Sequence, residues 1–410
     1  MFNHQNYHFI GIGGIGISAI ARMLNLQGKK VSGSDSTQSE ITDDLGKLGI
    51  KITIGHATQN IAEDTEVVIY TIAATEDNPE IMEARKRGVP VISYPEALGE
   101  LSKKMFTIAV SGTHGKTTTT AMIGHILMKA GLDPTIVVGS KMLSAGEKNT
   151  NFVAGKSNYF VVEACEYKRS FLNLHPTILV ITNIEADHLD YYKDLDDIKS
   201  AFAELSKKVP ENGFIVTENE YKEVSRDFEL STPGEHNILD AQAAIKVAEI
   251  LGIPQEKAKE FLKDFRGTWR RLEYKGEKDG NIFYDDYAHH PTEIEASLSA
   301  LKQKYPDKIL VAVFEAHQQS RTKILFSEFV NSLSIADQVF IAPIFITREV
   351  DDGVTTNNKL ANAINKTTPA KAIEHVEELK TEIEKIDSSK PLCIVLMGAG
   401  NIYKWTDELI

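Results

Sequence analysis

Short apolar runs rich in β-branched residues alternate with segments of helical periodicity along almost the whole chain. Such runs are typical of buried strands, and the intervening segments supply the helices that cover both faces of a parallel sheet. The sequence therefore predicts an α/β fold with mainly parallel sheets. The runs that predict strands lie at residues 8–10, 66–72, 106–110, 159–163, 177–182, 309–314, 338–342 and 392–397.

The chain has 410 residues, which is too long for one small module and fits two or three domains of about 150 residues each. The positions of the motifs predict domain boundaries near residues 102 and 272, giving domains at 1–102, 103–272 and 273–410. The formal net charge of -13 has the wrong sign for a protein that gains affinity by displacing counterions from nucleic acid. We therefore expect no nucleic-acid partner, and any anionic ligand must be bound by discrete motifs.

Cysteine usage and the N-terminus indicate a cytoplasmic protein. Cys165 and Cys393 are far apart and lack the spacing of a disulfide framework or a zinc site. The apolar stretch that follows the polar N-terminus is broken by glycines and is too short for a signal sequence or a membrane span. We expect a reducing compartment and no membrane insertion.

The first glycine-rich motif follows a predicted strand and opens a predicted helix, which is the required context for GxGxxG. Gly11 permits the turn, Gly13 lets a pyrophosphate approach the backbone beside Gly14, and Gly16 lets the helix pack closely on the strand. The next predicted strand ends at Asp35, whose carboxylate is placed to recognise a ribose or a base by hydrogen bonds. The motif alone fits either NAD or a UDP-type nucleotide, and a ligand-free turn is the alternative.

The second glycine-rich motif indicates a nucleoside triphosphate. Backbone N–H groups of this loop would hold phosphates, the lysine would reach the β and γ phosphates, and the following threonine hydroxyl would ligate magnesium. Val110 stands where the P-loop pattern requires its first glycine, so we expect a short variant of the loop. The predicted nucleotide-binding residues are Gly112, Thr113, Gly115, Lys116, Thr117 and Thr118.

Two later strands end in polar residues that suit magnesium. Glu163 ends one strand, and His188 follows the next one in the segment TNIEADH. Taken alone, each is more often a helix cap or a surface group. Because a phosphate loop is predicted nearby, we interpret Thr117, Glu163 and His188 as ligands for one or two Mg²⁺ ions.

A cluster in the last third of the chain can bind an anionic substrate or move a proton. The segment DDYAHHPTE contains Asp285, Tyr287 and His289, and His317 and Arg321 follow a later predicted strand. The adjacent histidines could also bind zinc, but neighbouring side chains diverge and no third ligand has the right spacing. The acidic residues also suit a loop and a first helical turn without any function.

Taken together, these motifs resemble the Mur ligases of peptidoglycan synthesis, and among them the type that adds L-alanine to UDP-N-acetylmuramate. The order and spacing of the matching segments agree over some 390 residues. Those segments are HFIGIGGIGIS with the following GSD, DNPEI, SGTHGKTTTTAM, VEACE, SFL, TNIEADHLDYY, PGEHNILDAQAA, RRLE, DDYAHHPTE, HxxSRT and MGAGNI.

The resemblance implies a three-domain enzyme with an N-terminal Rossmann-like domain that holds UDP, a central ATPase domain and a C-terminal Rossmann-like domain for the amino acid. ATP would phosphorylate the lactyl carboxylate of the sugar nucleotide, and the amine of L-alanine would then displace phosphate. Phosphorylation is needed because a carboxylate is a poor electrophile and lacks a good leaving group. The implied cofactors are ATP and Mg²⁺.

The resemblance also implies roles for individual residues. Lys116 and Thr117 would hold the phosphates and the first magnesium, Glu163 would ligate magnesium, and His188 would ligate a second metal. The glycine loop at residues 11–16 would bind the UDP diphosphate. The resemblance implies that Asn237 contacts the adenine and that Arg271 reaches the ATP phosphates. Asp285 and Tyr287 would form the closing side of the nucleotide site. The residues implied on the amino-acid side are His289, His317 and Arg321.

The chain departs from the family pattern at several positions. Cys165 and Lys168 stand where aspartates are usual, and Gln318 replaces an arginine expected to hold the incoming carboxylate. Ala203 stands where several sister ligases place a carbamylated lysine, so we expect none here. These departures leave the identity of the added amino acid or peptide open.

Three alternatives remain. A ligase that attaches a preformed tripeptide to the same sugar nucleotide is the nearest. An NAD-dependent dehydrogenase built on the first glycine loop would leave residues 112–118 unexplained. A non-catalytic nucleotide-binding protein would not need Glu163, His188 and the C-terminal cluster together. The oligomeric state is open.

Overall fold

The structure is a computed structural model that describes residues 2–143, 149–188, 191–346, 353–386 and 389–410. Across these ranges the chain forms three α/β domains with mainly parallel sheets, as the alternating pattern predicts. It divides into two compact units, the first being Met1–Glu229 with Asp240–Phe265 and the second Leu230–Leu239 with Arg266–Ile410. The first unit contains two of the sheets and the second unit contains the third. The boundaries near residues 102 and 272 stay predictions.

The first sheet carries the N-terminal glycine loop. Its strands are β1 (Asn6–Ile10), β2 (Lys30–Asp35), β3 (Lys51–Ile54), β4 (Val67–Tyr70) and β5 (Val91–Ser93). They pair in the order β3-β2-β1-β4-β5, and every pairing is parallel. The strand order reverses at β1, so the loop that follows β1 lies at the switch point where ligands bind in such sheets.

Helices connect the strands of the first sheet. Ser39 and Ser93 cap two of them through reciprocal capping boxes with Thr42 and Glu96, which satisfy amide groups that a helix start leaves free. The helices are α1 (Ile15–Leu26), α2 (Glu40–Lys47), α3 (Pro79–Lys86) and α4 (Tyr94–Ser102), with a short 3-10 turn at Thr58–Asn60.

The second sheet carries the phosphate-loop motif. Its strands are β6 (Phe106–Ser111), β7 (Thr135–Met142), β8 (Thr150–Val153), β9 (Tyr159–Glu163), β10 (Ile178–Ile181) and β11 (Phe214–Val216). They pair in the order β11-β10-β6-β9-β7-β8, and only the β7–β8 pairing among them is antiparallel. The carboxyl ends of β6, β9 and β10 therefore meet at one edge of the sheet.

The helices of the central region follow the same alternation. They are α5 (Lys116–Lys129), α6 (Leu195–Ser206), α7 (Glu218–Tyr221), α8 (Glu235–Ile250) and α9 (Gln255–Leu262), with a 3-10 segment at Tyr167–Asn173. Helix α5 begins directly after the glycine loop, with Gly115 as its N-cap. The predicted strand–loop–helix order of this motif is confirmed.

The third sheet lies in the second unit. Its strands are β12 (Glu273–Lys278), β13 (Asn281–Asp286), β14 (Ile309–Glu315), β15 (Gln338–Ile341), β16 (Ala370–Ala372) and β17 (Leu392–Gly398). They pair in the order β12-β13-β17-β14-β15-β16, with β12 antiparallel to β13 and the other pairings parallel. The helices are α10 (Pro291–Lys304), α11 (Gln319–Ile324), α12 (Phe326–Leu333), α13 (Asn357–Ile364), α14 (Val376–Glu384) and α15 (Tyr403–Leu409).

Both faces of the third sheet are buried. Along β14, Leu310 and Phe314 join one apolar cluster, whereas Val311 and Val313 join another. This alternation follows from the two-residue period of a strand, and helices on both faces make the strand apolar throughout. In the part of the chain that the structure describes, no helix is long and apolar enough to cross a membrane.

Candidate functional site

The first glycine loop is tied to the end of β2. Gly11 has a φ of 72°, and a β-carbon there would lie 2.4 Å from Thr71 Cγ2. The Gly13 amide donates a hydrogen bond to Asp35 Oδ2 at 2.8 Å, and the Gly14 amide donates to the Gly11 carbonyl at 3.1 Å. Asp35 therefore orients the loop in addition to its predicted role toward a ribose or base.

Gly16 lies close to an aromatic side chain. A β-carbon at Gly16 would lie 2.6 Å from the Tyr94 hydroxyl oxygen. Tyr94 is the first residue of α4, so this contact joins two distant parts of the chain. The predicted packing of the helix on the strand at Gly16 stays a prediction.

Two clefts adjoin this loop within the first unit. One, of about 500 Å³, is lined by Gly11, Gly13, Asp35, His56 and Asn78 among others. The other, of about 340 Å³, runs from Gly14 and Gly16 past Tyr94 to Glu163 and Cys165. The second cleft therefore connects the first glycine loop with the carboxyl end of β9.

A buried carboxylate supports the first cleft, and sequence reasoning missed it. Glu80 is fully buried and accepts hydrogen bonds from the Ser34 hydroxyl and the Asn60 amide, both at 2.6 Å, and its Oε2 lies 3.2 Å from His8 Nε2. Burial acts to raise its pKa, but the hydrogen bonds from His8, Ser34 and Asn60 hold the pKa at about 2. The residue belongs to the DNPEI segment, which was the available signal.

The second glycine loop is enclosed by neighbouring side chains. Gly112 has a φ of 142° and a β-carbon there would lie 1.9 Å from Thr182 Oγ1. Gly115 has a φ of 81° and a β-carbon there would lie 2.3 Å from Asp240 Oδ1. Strand β6 continues through Val110 to Ser111, so the loop is short, as expected from the missing first glycine.

Lys116 is held by the loop and by an acidic residue. Its Nζ donates to the carbonyl oxygens of Gly112 at 2.6 Å and Thr113 at 2.8 Å, and lies 3.0 Å from Glu166 Oε2. Burial acts to lower the pKa of Lys116, but the Glu166 carboxylate raises it above its ordinary value. The lysine is therefore a cation at neutral pH. Thr118 follows in α5 and is buried.

Two of the predicted metal ligands lie together. The Thr117 hydroxyl donates to Glu163 Oε2 at 3.0 Å, and the same oxygen accepts the Gly139 amide at 2.7 Å. Hydroxyl and carboxylate oxygens are ligands that Mg²⁺ prefers, and phosphates and waters usually complete its shell. These two residues fit the ion. Among the described residues, no group of three or more His, Cys, Asp or Glu side chains could hold a metal ion.

His188 lies beside Glu166, a residue that the sequence did not single out. His188 Nε2 is 3.4 Å from Glu166 Oε1, and its ring centroid is 4.8 Å from that of Tyr167. Its φ of 54° is unusual for a residue with a side chain and is found at functional sites more often than elsewhere. Glu166 thus contacts both the predicted phosphate lysine and a predicted metal ligand.

The second unit holds the remaining predicted nucleotide residues. The Asn237 amide donates to the Pro233 carbonyl at 2.6 Å. Arg271 has its Nη1 3.7 Å from Glu293 Oε1, and its guanidinium lies 5.2 Å from the centre of the Tyr287 ring. Arg271 and Tyr287 are therefore brought together, as expected if both contact one ligand.

Asp285 is fully buried, although it is predicted to close the nucleotide site. In the described part of the chain, neither of its side-chain oxygens has a hydrogen-bond partner, and Arg270 Nε lies 3.6 Å from Oδ1. Burial raises its pKa to about 7, with Glu273 and Asp286 acting in the same direction against Arg270. A direct contact of this carboxyl with a nucleotide would require the strand to move, and the role stays a prediction.

Asp286 faces the opposite side of β13, because side chains alternate along a strand. It accepts a hydrogen bond from the Ser297 hydroxyl and one from the Ala288 amide at 3.2 Å. Burial raises its pKa to about 6 despite the Ser297 hydroxyl and the attraction of Arg271. Asp286 is therefore near enough to Arg271 and Glu293 to be affected by the charges of both, and sequence reasoning did not single it out.

The predicted amino-acid residues cluster at the carboxyl ends of β13 and β14. His289 Nδ1 lies 3.0 Å from the Tyr287 carbonyl and 3.3 Å from Glu293 Oε2, and its ring centroid is 5.9 Å from that of His317. Arg321 Nη1 lies 3.4 Å from His317 Nδ1. His289, His317 and Arg321 are thus brought together.

The paired histidines diverge, as predicted. His290 caps α10, where its Nδ1 accepts the Thr292 amide at 3.4 Å. Gln318, the departure from the family pattern, is buried and has a φ of 70°. Its backbone N–H donates a hydrogen bond to the Phe345 carbonyl at 3.0 Å.

Comparison with known proteins agrees with this architecture of a glycine-loop domain, a phosphate-loop domain and a third α/β domain. The family model described as "Mur ligase family, catalytic domain" matches residues 6–105. The models described as "Mur ligase middle domain" and "Mur ligase, glutamate ligase domain" match residues 110–229 and 270–400. The chain belongs to the Mur ligase family, which confirms the resemblance and makes it an enzyme.

Individual relatives indicate the type of Mur ligase to which the chain is similar. The chain is 41% identical to the UDP-N-acetylmuramate–L-alanine ligase of Clostridium acetobutylicum over 98% of this chain and 96% of that protein. It is 39% identical to the same enzyme of Caldanaerobacter subterraneus over 99% and 97%. The crystal structure of the UDP-N-acetylmuramate–alanine ligase of Thermotoga maritima matches with a TM-score of 0.82 and 29% identity, covering 99% of this chain and 98% of that one.

We predict that Gly115→Ala weakens nucleotide binding at least tenfold, because the new methyl group would collide with Asp240 and displace the loop that holds Lys116. Gly131→Ala is the matched control, since Gly131 has a similar φ of 77° with open space around it. Calorimetric titration with an ATP analogue checks both variants. Equal losses in the two variants would show that backbone strain alone, and not the collision, is responsible.

We predict that Asp285→Asn raises the unfolding temperature at pH 8 by about 2 °C or more, and by clearly less at pH 5. The folded chain holds the proton of Asp285 up to about pH 7, whereas an unfolded chain releases it near pH 4, so stability falls as pH rises between these values. Thermal unfolding at both pH values checks this, with the exposed Asp407→Asn as control. A gain of equal size at both pH values would contradict it.

Proposed function

We propose that the chain is an ATP-dependent ligase that joins L-alanine to the lactyl carboxylate of UDP-N-acetylmuramate, in peptidoglycan precursor synthesis. The cleft that runs from Gly14 to Glu163 is the observation that carries the proposal. A sugar nucleotide whose diphosphate lies on the first glycine loop can extend along this cleft toward Thr117 and Lys116. Its carboxylate would then meet the terminal phosphate of ATP.

The chemistry requires activation of that carboxylate. ATP transfers its γ-phosphoryl group to a carboxylate oxygen, giving an acyl phosphate and ADP. The neutral amine of L-alanine attacks the acyl carbon, phosphate leaves with the oxygen it acquired, and the amine loses a proton. Holding two anions together is the main obstacle, so catalysis depends on positioning and on cations.

Lys116 is the protein cation best placed to offset this repulsion, since it is the first residue of α5 and its half-buried ammonium group lies against the carbonyl oxygens of the phosphate loop. Mg²⁺, when bound, would supply further positive charge between the phosphate oxygens. Thr117 and Glu163 would hold the ion and His188 a second one. Gly112, Thr113, Gly115 and Thr118 would complete the phosphate-binding loop, as the motif predicts.

The second unit contains the residues proposed to bind the amino acid, and it also contains residues with predicted roles toward ATP. Arg321, with His317 beside it, offers a cation for the L-alanine carboxylate, and His289 lies next to them. Asn237, Arg271, Asp285 and Tyr287 keep their predicted roles toward ATP. The predicted location in the cytoplasm fits a nucleotide-sugar substrate.

The alternatives are less well supported. A murein peptide ligase from Psychrobacter arcticus shares the fold with a TM-score of 0.70 but only 22% identity, whereas the L-alanine ligases reach about 40% over nearly the whole chain. A dehydrogenase is disfavoured because the Mur ligase model matches the first glycine loop at residues 6–105.

A product assay tests the proposal. The enzyme, ATP and MgCl₂ are incubated with UDP-N-acetylmuramate and, in separate reactions, L-alanine, L-serine, glycine or a muramyl-type tripeptide, and products are identified by mass spectrometry. We expect the L-alanyl product to form fastest, and Lys116→Ala to reduce its rate about a hundredfold or more. Preferential ligation of the tripeptide would establish the alternative, and no ADP in any reaction would refute both.

We predict that Arg321→Ala raises the KM for L-alanine about ten- to a hundredfold, because a charged hydrogen-bond partner contributes about 1.5 to 3 kcal/mol. The KM for ATP should change less than about threefold, since this arginine is assigned to the amino acid. Lys323→Ala removes another cation from the same helix and serves as the control. Steady-state kinetics decide the matter, and an unchanged KM for L-alanine would show that another group holds its carboxylate.

A further inference from the structure

Glu166 is a buried carboxylate to which the proposed mechanism gives no role. Its side chain is 4% exposed and it follows the end of β9 by three residues. Burying a carboxylate is unfavourable unless a cation is paired with it. Lys116 provides that cation: its Nζ lies 3.0 Å from Oε2 and donates a hydrogen bond to Oε1 at 3.2 Å, and His188 Nε2 lies 3.4 Å from Oε1.

The position of Glu166 is fixed from several sides. The Tyr192 hydroxyl donates a hydrogen bond to the Glu166 backbone carbonyl, and the His188 ring packs on Tyr167, the next residue in the chain. The attraction of Lys116 lowers the pKa of Glu166 against the opposing effect of burial. Glu166 is thus a fixed negative charge beside the group that must bind phosphate.

Lys116 makes three polar contacts without any nucleotide. Two carbonyl oxygens of the loop and Glu166 match the three N–H bonds of an ammonium group. A triphosphate that approaches the loop therefore meets a lysine whose charge is already neutralised. The triphosphate also meets a second carboxylate, that of Glu163, which accepts a hydrogen bond from Thr117 at the start of α5.

The formal charges of Lys116, Glu163 and Glu166 add to a net negative value, since the two carboxylates outnumber the one ammonium group among these three side chains. Such a site repels a triphosphate, and the contribution of Glu166 is little screened by water because its side chain is buried. A divalent cation at Thr117 and Glu163 would reverse the sign of the local charge. Nucleotide binding would then follow the binding of the cation.

We propose that Glu166 is a positioning residue that makes tight ATP binding depend on a divalent cation, by pairing with Lys116 and His188 until the cation is present. The inference rests on the proposed function, because it assumes that Lys116 binds ATP phosphates. Glu166 acts through Lys116 and needs no contact with the nucleotide. Free nucleotide without metal is thereby kept out of the site.

The test measures binding and not turnover. Affinity for a non-hydrolysable ATP analogue is determined by calorimetry for wild type, Glu166→Gln and Glu166→Asp, each with EDTA and with excess MgCl₂. For Glu166→Gln we expect metal-free affinity to rise about tenfold or more, because one negative charge beside the phosphates is removed. With MgCl₂ its affinity should stay within about threefold of wild type.

Glu166→Asp keeps the charge, so its metal-free affinity should stay within about threefold of wild type. Glu185→Gln is the control for loss of a nearby carboxylate, since Glu185 pairs with His114 and not with Lys116, and it should change neither affinity. Thermal unfolding identifies any variant that does not fold. If Glu166→Gln does not fold, Glu166→Asp alone decides whether a negative charge at this position is sufficient to keep the metal-free affinity low.

The outcomes separate the two proposals. Equal affinity loss by Glu166→Gln with and without metal would overturn the inference and make the residue structural. A rise in metal-free affinity for Glu166→Asp as large as for Glu166→Gln would also overturn it, because the charge would not matter. No binding by wild type under either condition would refute the proposed function itself.

Discussion

The phosphate loop depends on two places where the chain leaves no room for a β-carbon. At Gly112 the hydroxyl oxygen of Thr182 fills that space, and at Gly115 the carboxylate of Asp240 fills it. These contacts join the loop to the end of β10 and to α8, so the loop cannot shift without moving both. Lys116, the first residue of α5, is therefore held beside the end of β9, where Glu163 and Glu166 stand. The proposed binding of phosphates and of Mg²⁺ depends on this placement of Lys116 beside Glu163 and Glu166.

Much of this could be predicted from the sequence. Both glycine loops have characteristic spacing, each lies between a strand and a helix, and parallel strands gather their carboxyl ends at one edge. Thr117 and Glu163 are close for that reason, and so are His289, His317 and Arg321. Local sequence patterns are sufficient to predict the site wherever a motif and its neighbouring strands determine the positions of the side chains.

The rest depends on contacts that no local pattern encodes. Nothing in the local sequence distinguishes Glu166 from other acidic residues. Its contact with Lys116 exists only because the fold brings the end of β9 beside that lysine. The faces of Asp285 and Asp286 depend on β13 continuing through both residues, and a shift of one residue would exchange them. Gly16 meets Tyr94, and Glu80 meets His8, across more than 70 residues of sequence. Tertiary packing decides each of these.

The proposed reaction depends on one step, in which ATP activates the carboxylate of the sugar nucleotide as an acyl phosphate. It is tested most directly with UDP-N-acetylmuramate labelled with ¹⁸O in its lactyl carboxylate, incubated with enzyme, ATP, MgCl₂ and L-alanine. The phosphate released is then analysed by mass spectrometry. We expect one ¹⁸O atom in each phosphate, because the carboxylate oxygen leaves with the transferred phosphoryl group. Amide product accompanied by unlabelled phosphate would contradict it.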